Sequence, residues 1–572
     1  MKVYFVCAAV LAVFLLGFVP AAPADNIIFV DGNRPGDDGT NWARAYRYLQ
    51  DALAEADLVI GPTQVIVAGG VYRPDRSAAV PGGSGDHNAS FVLPAEVVLY
   101  GGYAGFGESD PNSRDIDSNV TVLSGDLGGD DGAGFAGNGD NSYHVVTSDA
   151  VEMAAGLDGF VITGGNAADA VTDHYGAGLY NDQSDLFIAN CVIRGNSAGM
   201  AAGDYGGGVY NGSGDIVLTN CVFSGNRSFM GGGLYNSNGV ISIDNCTFVG
   251  NKTDPSGTGG GLYNDNGTAM LANNIFWNNV GDVAGDETDQ LNIAGGIAAV
   301  DYNCIQGWSG TLGGIGNIGI DPLFVDPGYW DGDNWVEGDY HLRSIGWYWN
   351  ASRYGYWDYD DDGATSPCID AGNPGSLLAE ELLIIPGYPG NPYGENVRIN
   401  MGVHGGTSRA SMAPHRWRLL ADMTNDATVN PADFVLQLQD WLIEDDRRPG
   451  DLNRNGTVDL PDFALLAADW LQDGLCVPPE VEIISPQNGM EFEEYIVISI
   501  EADASDANGT VVKVTFYVDG VWLADDNDGG DGWTAEWSNH PMSSYDLTAR
   551  ATDDTGLIVT SATVQVTIGG GP

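Results

Sequence analysis

Short apolar runs and glycine-rich turns alternate through the middle of the chain. Four segments place an apolar residue, Tyr and Asn after a run of small residues, at 176–181, 206–211, 231–236 and 259–264. Successive tyrosines of this motif are 25 to 30 residues apart. The runs between them, such as Ile216–Thr219 and Val240–Ile243, are short and β-branched. This spacing predicts a solenoid in which each repeat forms one coil of stacked β-strands.

A second repeated signature, Asn-Cys-x-apolar-x-Gly-Asn, predicts how the coils pack. Its copies occupy 190–196, 220–226 and 245–251, with a degenerate copy at 273–279. Equivalent residues of successive coils lie about 4.7–4.9 Å apart. We therefore expect an inward ladder of free, buried thiols at Cys191, Cys221 and Cys246. We also expect a ladder of amides bonded from coil to coil at Asn190, Asn220 and Asn245.

These repeats resemble the Gly-Gly-Ala-apolar and Phe-x-x-Asn motifs of the polymorphic outer-membrane protein family of β-helix passengers, with Phe-x-x-Asn at 223–226, 248–251 and 276–279. Downstream segments resemble the closing segments of secreted bacterial right-handed β-helix proteins, at 321–326, 339–342, 366–372 and 400–406. The predicted fold is mainly β, with a right-handed parallel β-helix solenoid over 25–415. Pectate lyases share this fold.

An exposed first coil needs a cover, because its sheet edges are open. The stretch 42–56 is predicted to form a helical lid, since its apolar residues share one helical face. These residues are Trp42, Tyr46, Leu49, Leu53 and Ala56.

Between Asp422 and Trp470 the chain repeats itself after 29 residues, and each copy contains an acidic twelve-residue loop. Oxygen side chains fall at positions 1, 3, 5, 9 and 12, with a backbone carbonyl at 7, the spacing that surrounds calcium. The predicted ligands of the first loop are Asp422, Thr424, Asp426, Thr428, Asn430 and Asp433. Those of the second loop are Asp451, Asn453, Asn455, Thr457, Asp459 and Asp462.

Position 6 distinguishes the two loops. It is Gly456 in the second loop but Ala427 in the first. A Cβ in the left-handed conformation costs about 1–2 kcal/mol. The first loop is therefore expected to bind calcium more weakly.

Two such loops, each followed by a predicted helix and ending in Asp, resemble a type I dockerin over 416–475. The resemblance implies a small α module, calcium as the cofactor and a cohesin-like domain as a partner. Positions ten and eleven are Pro431-Ala432 and Leu460-Pro461. They depart from the Ser/Thr pair with which many cellulosomal dockerins contact cohesin.

The C-terminal residues 480–570 change to alternating strands, predicted at 481–484, 496–500, 512–518, 533–537, 545–550 and 564–568. Short strands between regular turn signals predict an Ig-like β-sandwich. The segments 485–489, 516–520 and 551–556 resemble bacterial Ig-like domains of secreted enzymes and adhesins. Such a module is more often a spacer than a catalyst.

The N-terminus predicts export. Lys2 precedes an apolar run over 10–17, and small residues end at Ala24, so 1–24 is a predicted signal peptide. The run is shorter than the roughly 20 residues of a membrane span, and we expect no span elsewhere. The formal net charge of −57 excludes nucleic acid and anionic lipid as partners but suits divalent cations. The expected location is secreted, extracellular or at the cell surface.

No catalytic constellation is evident. A lyase needs a base beside a uronate, and the basic residues on the coils are Arg194, Arg227 and Lys252. Arg194 is predicted at a variable, outward position. An inverting hydrolase needs two spaced carboxylates, and the many aspartates single out no pair. Gly195–Gly199 matches a nucleophile elbow by letters only, since it lies in a predicted coil turn.

The predicted function is polysaccharide binding or breakdown outside the cell, which the dockerin-like loops favour. If the chain is an enzyme, the expected activity is that of a polysaccharide lyase or an O-glycosyl hydrolase. A non-catalytic adhesin or structural envelope protein is the alternative, favoured by the outer-membrane-like repeats. Five tryptophans are expected either to stack on sugars or to cap the core: Trp330, Trp335, Trp347, Trp349 and Trp357.

Overall fold

A computed structural model describes most of the chain, including every predicted calcium ligand. The described residues are 26–150, 155–169, 174–281, 285–344, 347–350, 356–358, 365–381, 396–413, 417–443, 448–472, 474, 479–494, 496–507, 509–538, 541–554 and 557–569. The predicted signal peptide at 1–24 lies outside them.

Contacts divide the chain into two compact units. The first holds the described residues up to Gly319 together with 326–340 and 401–405. The second holds 320–325, 341–400 and 406–572. The closing segment at 366–372 thus groups with the calcium loops.

The first unit is a parallel β-helix, as predicted. Its first sheet contains, in spatial order, Asn26–Val30, Thr63–Ala68, Val97–Tyr103, Ala155–Asp158, Leu186–Ala189, Asp215–Thr219, Val240–Asp244, Thr268–Ala272 and Ile297–Asp301. The second contains Gly70–Tyr72, Thr121–Ser124, Val161–Thr163, Val192–Arg194, Val222–Ser224, Thr247–Val249, Ile275–Trp277 and Cys304–Ile305. The third contains Phe91–Val92, Val146–Asp149, Leu179–Asp182, Val209–Gly212, Leu234–Ser237, Leu262–Asp265 and Leu291–Ile293.

Inward side chains stack from coil to coil in strict register. Phe223, Phe248 and Phe276 are paired in adjacent strands, and their ring centroids are 4.3 and 4.7 Å apart. All three rings are fully buried. Burying such a side chain stabilises the fold by about 1.5–3 kcal/mol. The stacked core therefore holds successive coils in register.

Asparagine ladders also cross the coils, but at positions other than those predicted. One ladder joins Asn196, Asn226, Asn251 and Asn279 through side-chain amides at 2.9–3.0 Å. Another joins Asn181, Asn211, Asn236 and Asn264 at 2.7–2.8 Å. These eight residues are buried, so each amide satisfies its neighbour.

The prediction of a coil-to-coil amide ladder at Asn190, Asn220 and Asn245 was wrong. Asn190 donates to Asp158 at 2.9 Å, and Asn220 donates to the carbonyl of Val403 at 2.8 Å. Each of the three asparagines has a positive φ of 50–52°. They make the left-handed turn between the first and second sheets, which directs their amides away from the ladder.

The cysteine ladder is as predicted. Cys191, Cys221 and Cys246 are buried free thiols. Burial raises the pKa of the Cys191 and Cys221 thiols, so little reactive thiolate forms.

We expect iodoacetamide to leave these three cysteines unmodified in the native protein at pH 8 and to modify them fully in denaturant. Peptide mass spectrometry measures the fraction modified at each position. Rapid modification in the native state would contradict the buried ladder.

The predicted helical lid is shorter than expected. An α-helix spans only Leu49–Ala56, and Leu49, Leu53 and Ala56 are buried in the β-helix core. Trp42 lies in a separate 3-10 turn, and Tyr46 exchanges backbone hydrogen bonds with the first strand. The stretch 42–56 is therefore not one helix, because backbone pairing with the strand replaces its first turns.

The remaining elements of the first unit lie outside the three sheets. A short ladder pairs Arg227–Ser228 with Lys252–Thr253, and an antiparallel hairpin pairs Tyr329–Asp331 with Asn334–Val336. A helix spans Glu287–Gln290, and further 3-10 turns lie at Ala133–Phe135, Asn138–Asp140 and Ala167–Asp169. Strands Phe324–Asp326 and Asp339–Leu342 each contain residues of both units.

The second unit contains the two predicted calcium loops and the Ig-like sandwich. A hairpin pairs Tyr348–Asn350 with Tyr356–Asp358, and the loops are followed by helices Pro431–Asp440 and Leu460–Ala468. One sandwich sheet orders Glu480–Ser485, Ile498–Ser505 and Trp533–Trp537. The other orders Met490–Glu493, Val564–Gly569, Ser543–Asp553, Val511–Val518 and Val521–Asp526, with Ile558–Thr560 beside Ser543–Asp553.

The sandwich encloses its own core, which includes the fully buried Phe516. The strands at 490–493, 521–526 and 558–560 were not predicted from the sequence. A further 3-10 turn spans Gly529–Asp531. No helix among the described residues is long and apolar enough to cross a membrane.

Candidate functional sites

The first predicted calcium loop folds around its own carboxylates. Asp422 accepts the N–H of Ala427 at 3.0 Å, and Asp433 accepts those of Thr424 and Asn430, each at 2.9 Å. Asp422 and Asp433 are fully buried. Ala427 has a φ of +67°, the left-handed conformation expected at position 6. The loop is therefore closed by bonds from its backbone to two of its predicted ligands.

The second loop repeats these bonds 29 residues later. Asp451 accepts the N–H of Gly456 at 2.7 Å, and Asp462 accepts those of Asn453 and Asp459, each at 2.9 Å. Asp451 and Asp462 are also buried, and Gly456 has a φ of +87°. Both loops thus require a left-handed sixth residue, and only the second has glycine there.

The donor set fits calcium. Asp422, Asp426 and Asp433 each place a carboxylate oxygen within 4.8 Å of the others, about twice the 2.3–2.6 Å length of a calcium–oxygen bond. In the second loop, Asp459 has a buried Oδ1 without a hydrogen-bond partner among the described residues. Burial and the nearby carboxylates raise the pKa of Asp422 to about 6. A bound cation would relieve this repulsion.

The other predicted ligands lie in the same loops: Thr424, Thr428, Asn430, Asn453, Asn455 and Thr457. The Thr424 hydroxyl is 3.1 Å from Asp433 Oδ1, beside the carboxylates. Asn430 donates to Asp426 at 2.8 Å and accepts the N–H of Ala432, at the start of the first helix. These contacts bring the ligand residues together and start the helix that follows the loop.

The two helices after the loops pack through aromatic residues on or just after them. Phe434 lies 5.8 Å from Phe463 and 6.3 Å from Trp470, measured between ring centroids. Pairing of the helices holds the two loops in one module.

A row of tyrosines lies on the outer face of the third sheet. Tyr180, Tyr210, Tyr235 and Tyr263 are aligned by strand register, with ring centroids 5.2–5.8 Å apart. A second, shorter row is formed by Tyr175 and Tyr205, which lie 4.8 and 4.6 Å from Tyr210 and Tyr235. We call these six residues the tyrosine face. The sequence shows the motif tyrosines but not that a second row joins them.

The tyrosine face presents polar groups instead of open aromatic planes. Its rings stack nearly parallel, with interplanar angles of 5–21°, so neighbouring rings cover one another. Tyr180, Tyr210 and Tyr263 are partly exposed, whereas Tyr235 is buried. Asp149, Asp182 and Asp265 lie in register two positions further along the strands, on the same outer side. The Tyr235 hydroxyl donates to Asp265 at 3.1 Å.

Arg194 and Lys252, two of the candidate catalytic bases, form ion pairs with Glu337 and Asp333. Asp333 lies in the hairpin at 329–336, and Glu337 follows it. Arg194 Nη1 lies 3.4 Å from Glu337 Oε2. Lys252 Nζ lies 3.9 Å from Asp333 Oδ1 and 5.4 Å from the Trp330 ring centroid. Arg194 lies in register with Ser224 of the next coil. These contacts give both residues a packing role.

Arg227 is likewise engaged. Its Nε donates to the Ser197 hydroxyl at 2.9 Å, and its guanidinium lies 3.8 Å from the Phe135 ring centroid. Burial lowers the pKa of Arg227. Ser197, the serine of the elbow-like Gly195–Gly199, is thus bonded to an arginine in a coil turn.

Two of the predicted tryptophans cover the β-helix. Trp330 donates its indole N–H to the carbonyl of Gly250 at 3.0 Å. A Cβ added at Gly225 or Gly250 would clash with Trp335, so the Trp335 ring rests directly on these turns. Their planes are therefore occupied by packing, which favours the cap over sugar stacking.

The other tryptophans lie in the second unit. The Trp349 ring centroid is 5.5 Å from the Arg409 guanidinium, and the Trp347 carbonyl accepts the N–H of Met412. The side chain of Trp357 lies outside the described residues.

One acidic cluster was missed by the sequence analysis. Asp126, Asp131 and Asp140 each place a carboxylate oxygen within 4.8 Å of the others. Burial, followed by neighbouring carboxylates, raises the pKa of Asp131. The Asp- and Gly-rich composition of 126–140 is a signal of this loop, but its aspartates do not follow the twelve-residue calcium-loop spacing.

Comparison with known proteins identifies the C-terminal domain. Residues 479–549 match the bacterial Ig domain family. No curated protein matches the chain.

Solved structures resemble short stretches of the chain. The fibronectin(III)-like modules of Clostridium thermocellum CbhA share 23% identity over 17% of this chain and 49% of that chain, with a TM-score of 0.16. An engineered protein shares 23% over 19% and 27%, with a TM-score of 0.14. The endo-beta-1,4-mannanase from Thermotoga petrophila shares 14% over 20% and 25%, also at 0.14. The chain spans about half the length of the first and about a quarter of the others.

Proposed function

We propose that this chain is an exported, calcium-binding protein whose β-helix binds an extracellular polysaccharide without cleaving it. The tyrosine face carries the proposal. Its tyrosines recur from coil to coil along one direction, and a regular polymer is a ligand whose own groups recur in the same way. Phenolic hydroxyls both donate and accept hydrogen bonds, as sugar hydroxyls do.

Charge narrows the class of polysaccharide. The formal net charge is −57, and Asp149, Asp182 and Asp265 lie beside the tyrosines. Like charges would repel a uronate polymer. A neutral or cationic polysaccharide is the ligand that we propose.

A non-catalytic role accords with the contacts of the basic residues on the coils. Arg194 and Lys252 are paired with carboxylates, and Arg227 is bonded to Ser197. A base for β-elimination must instead reach the sugar proton that it removes. None of the three is free to do so in its present contacts.

Calcium is the proposed cofactor, held by the twelve ligand residues of the two loops. The resemblance of 416–475 to a type I dockerin, the equivalent loop hydrogen bonds and the converging carboxylates support it. When bound, calcium would neutralise these carboxylates and hold each loop closed.

We also propose a cohesin-like domain as a protein partner of residues 416–475. The helices after the loops expose apolar side chains, including Val435, Leu438 and Leu460 at 50–69% exposure. These residues form the surface that such a partner would contact. Calcium-dependent binding to cohesins tests it, and loss of binding in Leu438→Asp would locate the contact.

The binding test incubates the exported chain with neutral, cationic and acidic polysaccharides in calcium. We expect retention on a neutral or cationic polymer, with no increase in unsaturated-uronate absorbance or reducing ends. Growth of either signal would contradict the non-catalytic proposal. Failure to bind any polymer would favour the adhesin or structural alternative.

The double variant Tyr210→Phe, Tyr263→Phe should weaken binding while keeping the ring stack. Each lost hydroxyl is worth about 1 kcal/mol, so affinity should fall roughly thirtyfold. Affinity electrophoresis in gels containing the bound polysaccharide measures the change. Tyr517→Phe, in the sandwich, is the matched control. Equal retention of all three proteins would rule out the tyrosine face as the binding surface.

A further inference from the structure

The segment 366–374 is irregular and mostly buried. Several of its backbone carbonyls accept hydrogen bonds from side chains of residues 416–475, which contain the two predicted calcium loops. Buried carbonyl groups need hydrogen-bond partners, and this segment has no strand of its own to provide them. Pro367 accepts from Arg418 at 2.8 Å, and Ser366 accepts from the Trp417 indole at 3.2 Å. The order of the segment therefore depends on residues close to the first loop.

Arg398 makes the most direct link. It is fully buried. Its Nη1 donates to the backbone carbonyl of Asp422 at 2.6 Å, and its Nε donates to that of Gly372 at 2.9 Å. A further N–H reaches the carbonyl of Ala371 at 3.2 Å. One guanidinium thus joins the first residue of the first calcium loop to the segment.

The fourth residue of each loop provides a second link. Asn425 and Arg454 occupy equivalent positions, with φ values of +57° and +56°. The Asn425 amide donates to the carbonyl of Ala371 at 2.8 Å. Arg454 donates to the carbonyls of Pro374 and Val397, at 3.1 and 2.6 Å. Both loops therefore hold the segment through a residue whose position depends on the loop being closed.

We propose that Arg398 is a positioning residue for the first calcium loop, and that calcium binding and docking of 366–374 are coupled. The inference rests on the proposed calcium site and deepens it. A closed loop fixes Asp422, which Arg398 joins to the segment, and Asn425, which bonds to the segment directly. An open loop would leave buried carbonyls without these partners. Because such coupling is reciprocal, docking raises calcium affinity by the factor by which calcium favours docking.

Arg398→Lys tests this coupling at constant charge. Lysine keeps the positive charge near the loop but lacks the planar fork that reaches several carbonyls at once. In full-length protein carrying Asp462→Asn, which disables the second loop, the exchange should lower calcium affinity about tenfold. Isothermal titration calorimetry measures the affinity.

Hydrogen exchange gives an independent readout. With calcium, amides of 366–374 should be protected in the wild-type chain, and chelation should remove that protection. In Arg398→Lys, protection should be reduced even with calcium present. Asn425→Gly keeps the left-handed backbone without strain and removes the amide link to Ala371, together with the long 3.4 Å contact to Arg418. Asn425→Gly should lower both calcium affinity and amide protection, as Arg398→Lys does. It replaces Arg398→Lys as the test variant if that variant fails to fold.

Arg448→Lys is the matched control, because its guanidinium contacts Asp440 at 3.1 Å within the same module. It should leave affinity and protection unchanged. Wild-type affinity in both test variants would overturn the inference, and so would a segment that stays protected after chelation. A wild-type chain that binds no calcium would instead overturn the proposed calcium site itself.

Discussion

Phe248→Ala should destabilise the β-helix by about 3–5 kcal/mol, the cost typical of removing a buried aromatic ring. The ring is fully buried between Phe223 and Phe276, with centroids 4.3 and 4.7 Å away. Its removal leaves a cavity that the neighbouring coils fill poorly, because strand register holds them in place. Both neighbouring rings also lose a stacking partner. Denaturant unfolding followed by far-ultraviolet circular dichroism measures the loss.

Phe106→Ala is the matched control for this prediction. Phe106 is 48% exposed and lies under the Arg34 guanidinium at 4.0 Å. An exposed contact of this kind is worth about 0.5–1 kcal/mol. If the two variants lose equal stability, the phenylalanine stack does not support the coils.

Calcium removal should lower the free energy of unfolding of the second unit by about 2.7 kcal/mol for each loop that was occupied at one hundred times its Kd. In the proposed site the cation would stabilise the closed loop, and chelation would leave buried carboxylates to repel one another. Thermal unfolding in calcium and in chelator, at fixed ionic strength, measures the difference.

Single ligand variants refine this prediction. Asp462→Asn should abolish the contribution of the second loop, and Asp433→Asn that of the first. The loss should be larger for Asp462→Asn, because Gly456 spares the second loop the strain present at Ala427. Glu482→Gln, at an exposed strand position, is the control. If the unfolding temperature is the same in calcium and in chelator, the predictions for calcium removal and for both ligand variants are contradicted.

The asparagines show where prediction from the sequence failed. Asn190 and Asn196 belong to the same signature, and both recur in each coil. The backbone separates them, since Asn190 has a φ of +50° and turns its amide outward, whereas Asn196 is fully buried in a ladder. Recurrence predicts that equivalent residues align, but the turn conformation decides whether a side chain enters the core.

The prediction of a single helix over 42–56 was wrong for a related reason. Its apolar spacing is helical, yet Tyr46 pairs with the first strand through its backbone. The edge of the first sheet offers hydrogen-bond partners that compete with those of a helix. Local spacing of apolar residues cannot show that this strand lies next to Tyr46. The strand at 521–526 was missed because its pairing with 511–518 determines it more than its own alternation does.

The sequence by itself determined the coil repeat, the cysteine ladder and the Ig-like domain, and it placed the predicted ligands of each acidic loop within twelve residues. All of these are encoded within one coil, one strand pattern or twelve consecutive residues. Only the tertiary structure decided that Trp335 rests on Gly250, that a second row completes the tyrosine face and that Arg398 joins Asp422 to Gly372. These contacts join residues distant in the chain, and packing, with the need to satisfy buried polar groups, selects them.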